Sequence, residues 1–165
     1  MGTVASSGTA VVTLPSDTEI KITREFDAPK HLVYKALTTP ELIKRWWSSK
    51  RGEVTLAEVD LRVGGKWRYV MVTEGGFEVG FHGEYRELVP NELIVNTEVY
   101  EGIPNGEANA AVNKYKLVEQ DGRTTLTVLT TMPTKEGRDM ILESGMEAGM
   151  QDAYDLLEEV AISLK

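Results

Sequence analysis

The sequence predicts an α+β fold, in which a curved antiparallel sheet of about six or seven strands wraps a long C-terminal helix. Three observations carry this. Strand-like alternation punctuated by turn signals runs in series from Val54 to Met132. Two short helical stretches follow the first strand, between Pro29 and Trp47. Pro133 to Lys165 then reads as one long helix, with Thr134 as a candidate N-cap and no proline from Lys135 to Leu164. A strand-rich run with its helices segregated is α+β and not a doubly wound parallel sheet. The long helix buries its stripe only by lying across one sheet face, and a twisted sheet curls around it.

Taken in order, residues 1–18 are rich in Gly, Ala, Ser and Thr and read as a flexible extension, with Val11 to Leu14 as a marginal strand. The remainder, 19–165, reads as a single domain. From Glu19 to Phe26, Ile20, Ile22 and Phe26 alternate with Lys21, Thr23 and Glu25, a half-buried strand. Pro29 suits a first helical position, and Leu32, Val33, Ala36 and Leu37 form the apolar face that follows. Thr39-Pro40 restarts a second helix with Leu42, Ile43, Trp46 and Trp47 at helical spacing. Strands are expected over Val54–Val63, Lys66–Thr73, Phe77–Val89, Leu93–Tyr100, Ala108–Glu119 and Arg123–Met132, the last pair joined across Asp121-Gly122.

The terminal helix carries Leu142, Gly145, Met146, Gly149, Ala153, Leu156, Leu157, Val160 and Leu164 on one stripe. A helical glycine costs roughly 1 kcal/mol relative to alanine, so Gly145 and Gly149 need a reason. Either the helix backbone lies close to the sheet, or the missing side chains leave a hollow beneath it.

Composition excludes several functions. The chain has 165 residues, is 41% hydrophobic and 27% charged, and contains no apolar run long enough to span a membrane. The opening residues lack the basic and apolar blocks of a signal peptide, so a cytoplasmic chain is expected. Without cysteine there is no disulfide, thiolate metal site or thiol nucleophile, and two histidines at unsupported spacing argue against a metal centre. No cofactor is expected, since neither a P-loop nor a dinucleotide fingerprint is present. A net charge of −8 lacks the footprint of a nucleic-acid binder. The local basic cluster Lys44, Arg45, Lys50 and Arg51 reads as a solvated helix end.

The segments FDAPKHLVYKALTTPELIKRWW, DLRVGGKWRY, GEYRELVPNELIV and GMEAGMQDAYDLLEE stand in that order. Together they resemble the activator-of-Hsp 90-ATPase-homologue-like family of the START/SRPBCC superfamily, from about Glu19 to Val160. The resemblance implies the helix-grip fold and a deep cavity between sheet and terminal helix that holds apolar molecules in many relatives. It turns the reading of Gly145 and Gly149 toward the hollow. Relatives usually follow the paired tryptophans with Gly-Pro, whereas Ser48 and Ser49 stand here. The separate N-terminal domain by which eukaryotic co-chaperone members contact the chaperone does not fit within residues 1–18.

The candidate pocket residues are Trp46, Trp47, Trp67, Tyr69, Met71, Phe77, Phe81, Tyr85, Gly145, Met146, Gly149 and Ala153. Each has a plainer reading as core. Trp46 and Trp47 either anchor the helix or wall the pocket mouth. The strand aromatics are sheet core, or cavity walls with hydroxyl handles from Tyr69 and Tyr85. His82, on the opposite parity, reads as a surface residue, and Glu143 and Glu147 as solvated. The leading expectation is a non-enzymatic binder of a small hydrophobic or amphipathic molecule. A polyketide cyclase or aromatase, with protons moved by Tyr69, Tyr85 or Glu98, is the second. A chaperone co-factor with a stress-response role is the third. The oligomeric state is not legible.

Overall fold

A computed structural model describes residues 9–48 and 51–165. The chain runs β1 (Val11–Thr13), β2 (Glu19–Phe26), α1 (Lys30–Thr38), α2 (Pro40–Trp46), β3 (Gly52–Val59), β4 (Lys66–Thr73), β5 (Glu78–Val89) and β6 (Leu93–Tyr100). A 3₁₀ turn (Gly106–Asn109), β7 (Ala111–Gln120), β8 (Arg123–Thr131), α3 (Lys135–Glu143) and α4 (Met146–Ser163) complete it. The eight strands form one antiparallel sheet in the order β1-β2-β8-β7-β6-β5-β4-β3. All but one of its neighbours are also neighbours in sequence. The exception brings β8 back beside β2.

The α+β reading holds, with one strand more than the upper expectation. The additional edge strand is β1, whose Val12 pairs with Ile22. Gln151 of α4 holds the backbone before it, accepting from Ala10 N at 3.0 Å and donating to Ala10 O at 2.9 Å. The extension expected to be loose is therefore built into the fold from Ala10 onward; residues 1–8 lie outside the described residues. The Asp121-Gly122 hairpin has φ of 54° and 79°, the double positive that a tight hairpin turn demands.

The C-terminal helix is two helices, which corrects the single long one expected. Gly145 has φ of 81°. This left-handed residue ends α3, and Ser144 N donates to the carbonyls of Met140 and Ile141. Periodicity continues across the break because Leu142 and Met146 both turn toward the core on either side of it. Thr134 caps α3, its hydroxyl accepting from Gly137 N at 3.0 Å.

The core lies between α1, α4 and the inner faces of β2 and β8. Ile20, Phe26, Val33, Ala36, Leu126, Leu157 and Ala161 are all within 1% of complete burial. Among them stands Arg24, 0% exposed, on the inward parity of β2. Its guanidinium donates to Tyr154 O at 2.9 Å, Asp155 Oδ1 at 2.9 Å and Glu158 Oε1 at 3.2 Å, and lies 4.6 Å from the Phe26 ring centre. A buried guanidinium is tolerable only with such partners. The cluster fixes where α4 sits along β2. Arg24→Ala is expected to lower unfolding stability by about 3 kcal/mol, measured by urea denaturation. A change below about 1 kcal/mol would show that the cluster contributes no more than a surface pair.

Candidate functional site

The sheet's inner face changes character toward β4–β7. Here side chains surround a largely enclosed chamber of about 50 Å³. Its roof comes from the short helices: Leu37 of α1, Trp46 of α2, and Trp47 just beyond. Trp46 is fixed by its indole N–H, which donates to Ala36 O at 2.9 Å and locks α2 to α1. Trp47 is half-buried and meets Tyr69 and Phe81 edge-on, with ring centres 5.3 and 5.5 Å away. The side walls are Trp67 and Tyr69 of β4 and Tyr85 of β5, with Trp67 and Tyr69 centres 4.7 Å apart. Gly83 makes room for this wall. It pairs with Trp67, and a side chain there would collide with the Thr97 carbonyl and come within 2.8 Å of the Trp67 indole nitrogen. That nitrogen is buried without a partner among the described residues.

The floor is polar. Ile94, Asn96 and Glu98 share the inward parity of β6, as do Asn113 and Tyr115 on β7. Asn96 and Asn113 face each other directly across the ladder. Thr130 of β8 donates its hydroxyl to Asn113 Oδ1 at 2.7 Å, which fixes the amide's orientation. The Asn113 NH₂ then donates to Glu98 Oε1 at 2.8 Å and to Asn96 Oδ1 at 3.2 Å. Burial raises the Glu98 carboxyl pKa; the Asn113 bond opposes this by favouring the ion. Burial likewise lifts the Tyr69 and Tyr115 phenols well above their ordinary value of 10.0 and Tyr85 to about 12. Near neutral pH the chamber therefore holds three neutral phenols, two carboxamides and one carboxyl. Among the described residues no lysine, arginine or histidine lines it.

Of the twelve residues singled out in the sequence, five line this chamber: Trp46, Trp47, Trp67, Tyr69 and Tyr85. The others stand elsewhere. Phe81 packs behind Trp47 and against Tyr100, 5.1 Å between centres. Met71 is half-buried opposite Val54 and Val79. Phe77 is 73% exposed in the β4–β5 turn, one residue before the strand it was expected to open. Ala153 is core, and Met146 packs at its margin.

Neither glycine supports a hollow. Gly145 is the left-handed break between α3 and α4, and a side chain added at Gly149 would meet the Arg51 guanidinium at 3.3 Å. The cavity thus lies between the sheet and α1–α2, not beneath the two glycines, and α4 contributes nothing to its lining. The sequence reading missed Leu37, Ile94, Asn96, Asn113 and Tyr115, and it placed Glu98 only as a proton carrier. For Asn96, Glu98 and Asn113 the signal was inward parity on β6 and β7, obscured because those positions are polar; Leu37 and Ile94 read as ordinary core.

On the outer face, His82 bridges Glu101 at 2.7 Å and Glu107 at 3.0 Å, while Arg68 makes a double bond pair to Glu101 at 2.8 and 3.0 Å. Glu107 and Glu101 raise the His82 pKa, and Arg68 is the main cause holding Glu101 down at about 2. This cluster pins the β6–β7 connection to the sheet, on the side away from the chamber. Among the described residues no group of three or more acidic or histidine side chains could hold a metal ion, and no helix is long and apolar enough to cross a membrane.

The raised Glu98 pKa has a consequence for stability. The folded protein binds its proton more tightly than the unfolded chain does. Stability from this group is therefore complete below the ordinary carboxylate value of 4.5 and is lost as pH rises through the folded value. Glu98→Gln is expected to raise the melting temperature at pH 7.5 but not at pH 4, by calorimetry. An equal or lower melting temperature at pH 7.5 would contradict the placement.

Comparison with known proteins agrees with this architecture. A family model described as activator of Hsp90 ATPase homolog 1-like protein matches residues 27–161. A Rhodobacter sphaeroides crystal structure superposes with a TM-score of 0.86 at 23% identity, covering 94% of this chain and 99% of the other. A Nitrosomonas europaea crystal structure gives 0.81 at 24% identity over 92% and 98%. An Arthrobacter aurescens solution structure gives 0.83 at 24% identity over 93% and 91%. At these identities the likeness concerns the fold alone. No curated protein matches the chain. The matched model covers most of the sequence, from the residue after β2 to near the end of α4, and the chain belongs to the activator of Hsp90 ATPase homolog 1-like family.

Proposed function

We propose that the protein binds a small molecule in the chamber between α1–α2 and the sheet. The family is associated with small-molecule and chaperone binding, and the chamber favours the first for this chain. The observation that carries the reading is polar groups turned inward at the centre of the sheet with bonding capacity left over. The Asn96 NH₂, the Tyr115 hydroxyl and the second Glu98 oxygen make no hydrogen bond among the described residues, yet line the chamber. Polar groups shut inside a protein are normally satisfied by protein, water or ligand.

Size limits the occupant. A water needs roughly 10–15 Å³ of such space, and a benzene-binding cavity measures about 150 Å³. The chamber of about 50 Å³ holds about three to five waters or a compound of few non-hydrogen atoms unless its wall moves. Trp47, half-buried at the margin of the core and meeting Tyr69 and Phe81 edge-on, is the wall residue best placed to yield. The ligand is therefore small and at least partly polar, which narrows the apolar or amphipathic molecule expected from sequence.

Ile94→Phe places a ring in the chamber. It is expected to abolish uptake of small compounds in ligand-detected NMR while costing about 1–3 kcal/mol of stability through overpacking. Undiminished uptake by the folded variant would place binding elsewhere.

A second reading is proton transfer, favoured by Glu98, an enclosed carboxyl with a raised pKa held in place by Asn113. A general base there would remove a proton from carbon next to a carbonyl. Loss of deuterium from acetone-d6 at a rate above buffer, abolished in Glu98→Gln, is the expected result of this reading. A rate equal to buffer removes it.

A further inference from the structure

We propose that the chamber selects a small organic cation, a primary or methylated ammonium, with Glu98 as its counter-charge and the rings of Trp47, Trp67, Tyr69 and Tyr85 around its alkyl groups. This rests on the binding reading and sharpens it to a charge class.

Glu98 is the one acidic side chain in the lining, and no described basic side chain accompanies it. Asn113 occupies one carboxyl oxygen at 2.8 Å, and the other makes no hydrogen bond among the described residues. A carboxylate withdrawn from water is costly unless it is paired. Left unpaired, it binds a proton more readily, in line with the upward direction of its pKa. An ammonium supplies the missing pair. The lining is rich in aromatic rings, whose π-faces attract alkylammonium groups most strongly where water is excluded.

Other charge classes fit less well. A carboxylate or phosphate would meet Glu98 and no cation, and a neutral compound would leave the carboxyl's charge uncompensated. The groups facing Glu98 do not change this. Tyr69 of β4, Tyr85 of β5, Tyr115 of β7 and Tyr154 of α4 all have phenols pushed upward by burial, so none carries charge near neutral pH. The α1–α2 roof contributes only Leu37, Trp46 and Trp47. The Arg24 guanidinium, which acts on Tyr154, is taken by the Tyr154 carbonyl, Asp155 and Glu158. The chain's net charge of −8 also raises the local concentration of cations.

The test is calorimetric titration of the full chain with methylammonium and tetramethylammonium chloride, and with tert-butanol as the uncharged counterpart. One cation is expected to bind about tenfold or more tightly than the alcohol at pH 7.5. Its affinity should fall as pH drops toward 4.5 and Glu98 takes up its proton, by up to tenfold per pH unit. Glu98→Gln should erase the preference, bringing the cation down to the level of the alcohol. Trp47→Leu, which removes one ring face and keeps the carboxyl, should weaken the cation more than the alcohol. Equal binding of alcohol and cation, or a preference that survives Glu98→Gln, overturns the cation proposal and leaves the binding reading intact. If no probe binds, both fall.

Discussion

A carboxyl, two carboxamides and three phenols stand at the centre of this sheet, and their need for hydrogen-bond partners shapes what surrounds them. The sequence Thr130 to Asn113 to Glu98 and Asn96 runs across three neighbouring strands, so β6, β7 and β8 must keep their register for the chain of bonds to exist. A slip by one residue would turn each of these side chains to the opposite face. The same groups prevent the region from closing as apolar core. The roof of Leu37, Trp46 and Trp47 spans them and leaves space beneath. A satisfied network costs little, and a partly satisfied one invites a further molecule.

The two halves of the inner face divide the work. On the β2–β8 side, packing is tight and apolar, with one buried arginine, Arg24, whose hydrogen-bond partners all come from α4. Arg24 holds the helix where its lower stripe of Ala153, Leu157, Val160 and Ala161 meets the core. On the β4–β7 side, the helices that approach are α1 and α2, and Trp47 just beyond α2 reaches the strands only through ring-edge contacts with Tyr69 and Phe81. The break at Gly145 belongs to the same division. Beyond it α3 is tied to Ser16 through Arg138 rather than to the chamber. The tightly packed half thus frames the half that holds the chamber.

Much of the fold was legible because hydrophobic periodicity reports elements directly. Alternation in Glu19–Phe26 and the Asp121-Gly122 hairpin survive as read. The helix break was not legible: Leu142 and Met146 keep helical spacing across Gly145, and a glycine inside a stripe looks the same whether it is helical or left-handed. Arg24 was hidden by its charge, although its parity with Ile22 and Phe26 points inward. The chamber was half legible for the same reason. Aromatics on β4 and β5 announce a buried face, whereas Asn96, Glu98 and Asn113 look like solvent-facing residues until the sheet order places them under α1 and α2. The family resemblance supplied the architecture but put the hollow beneath the glycines, where a backbone turn and the Arg51 guanidinium account for them.

We take the space beneath Trp46 and Trp47 to be a binding site and not a packing defect. Crystals grown with 2-bromoethylammonium test it most directly, since anomalous scattering locates the bromine without assumptions about the protein. Binding there gives a bromine peak inside the chamber, with the ammonium against Glu98. Bromine confined to the surface, with the chamber closed by the side chains around it, would contradict it.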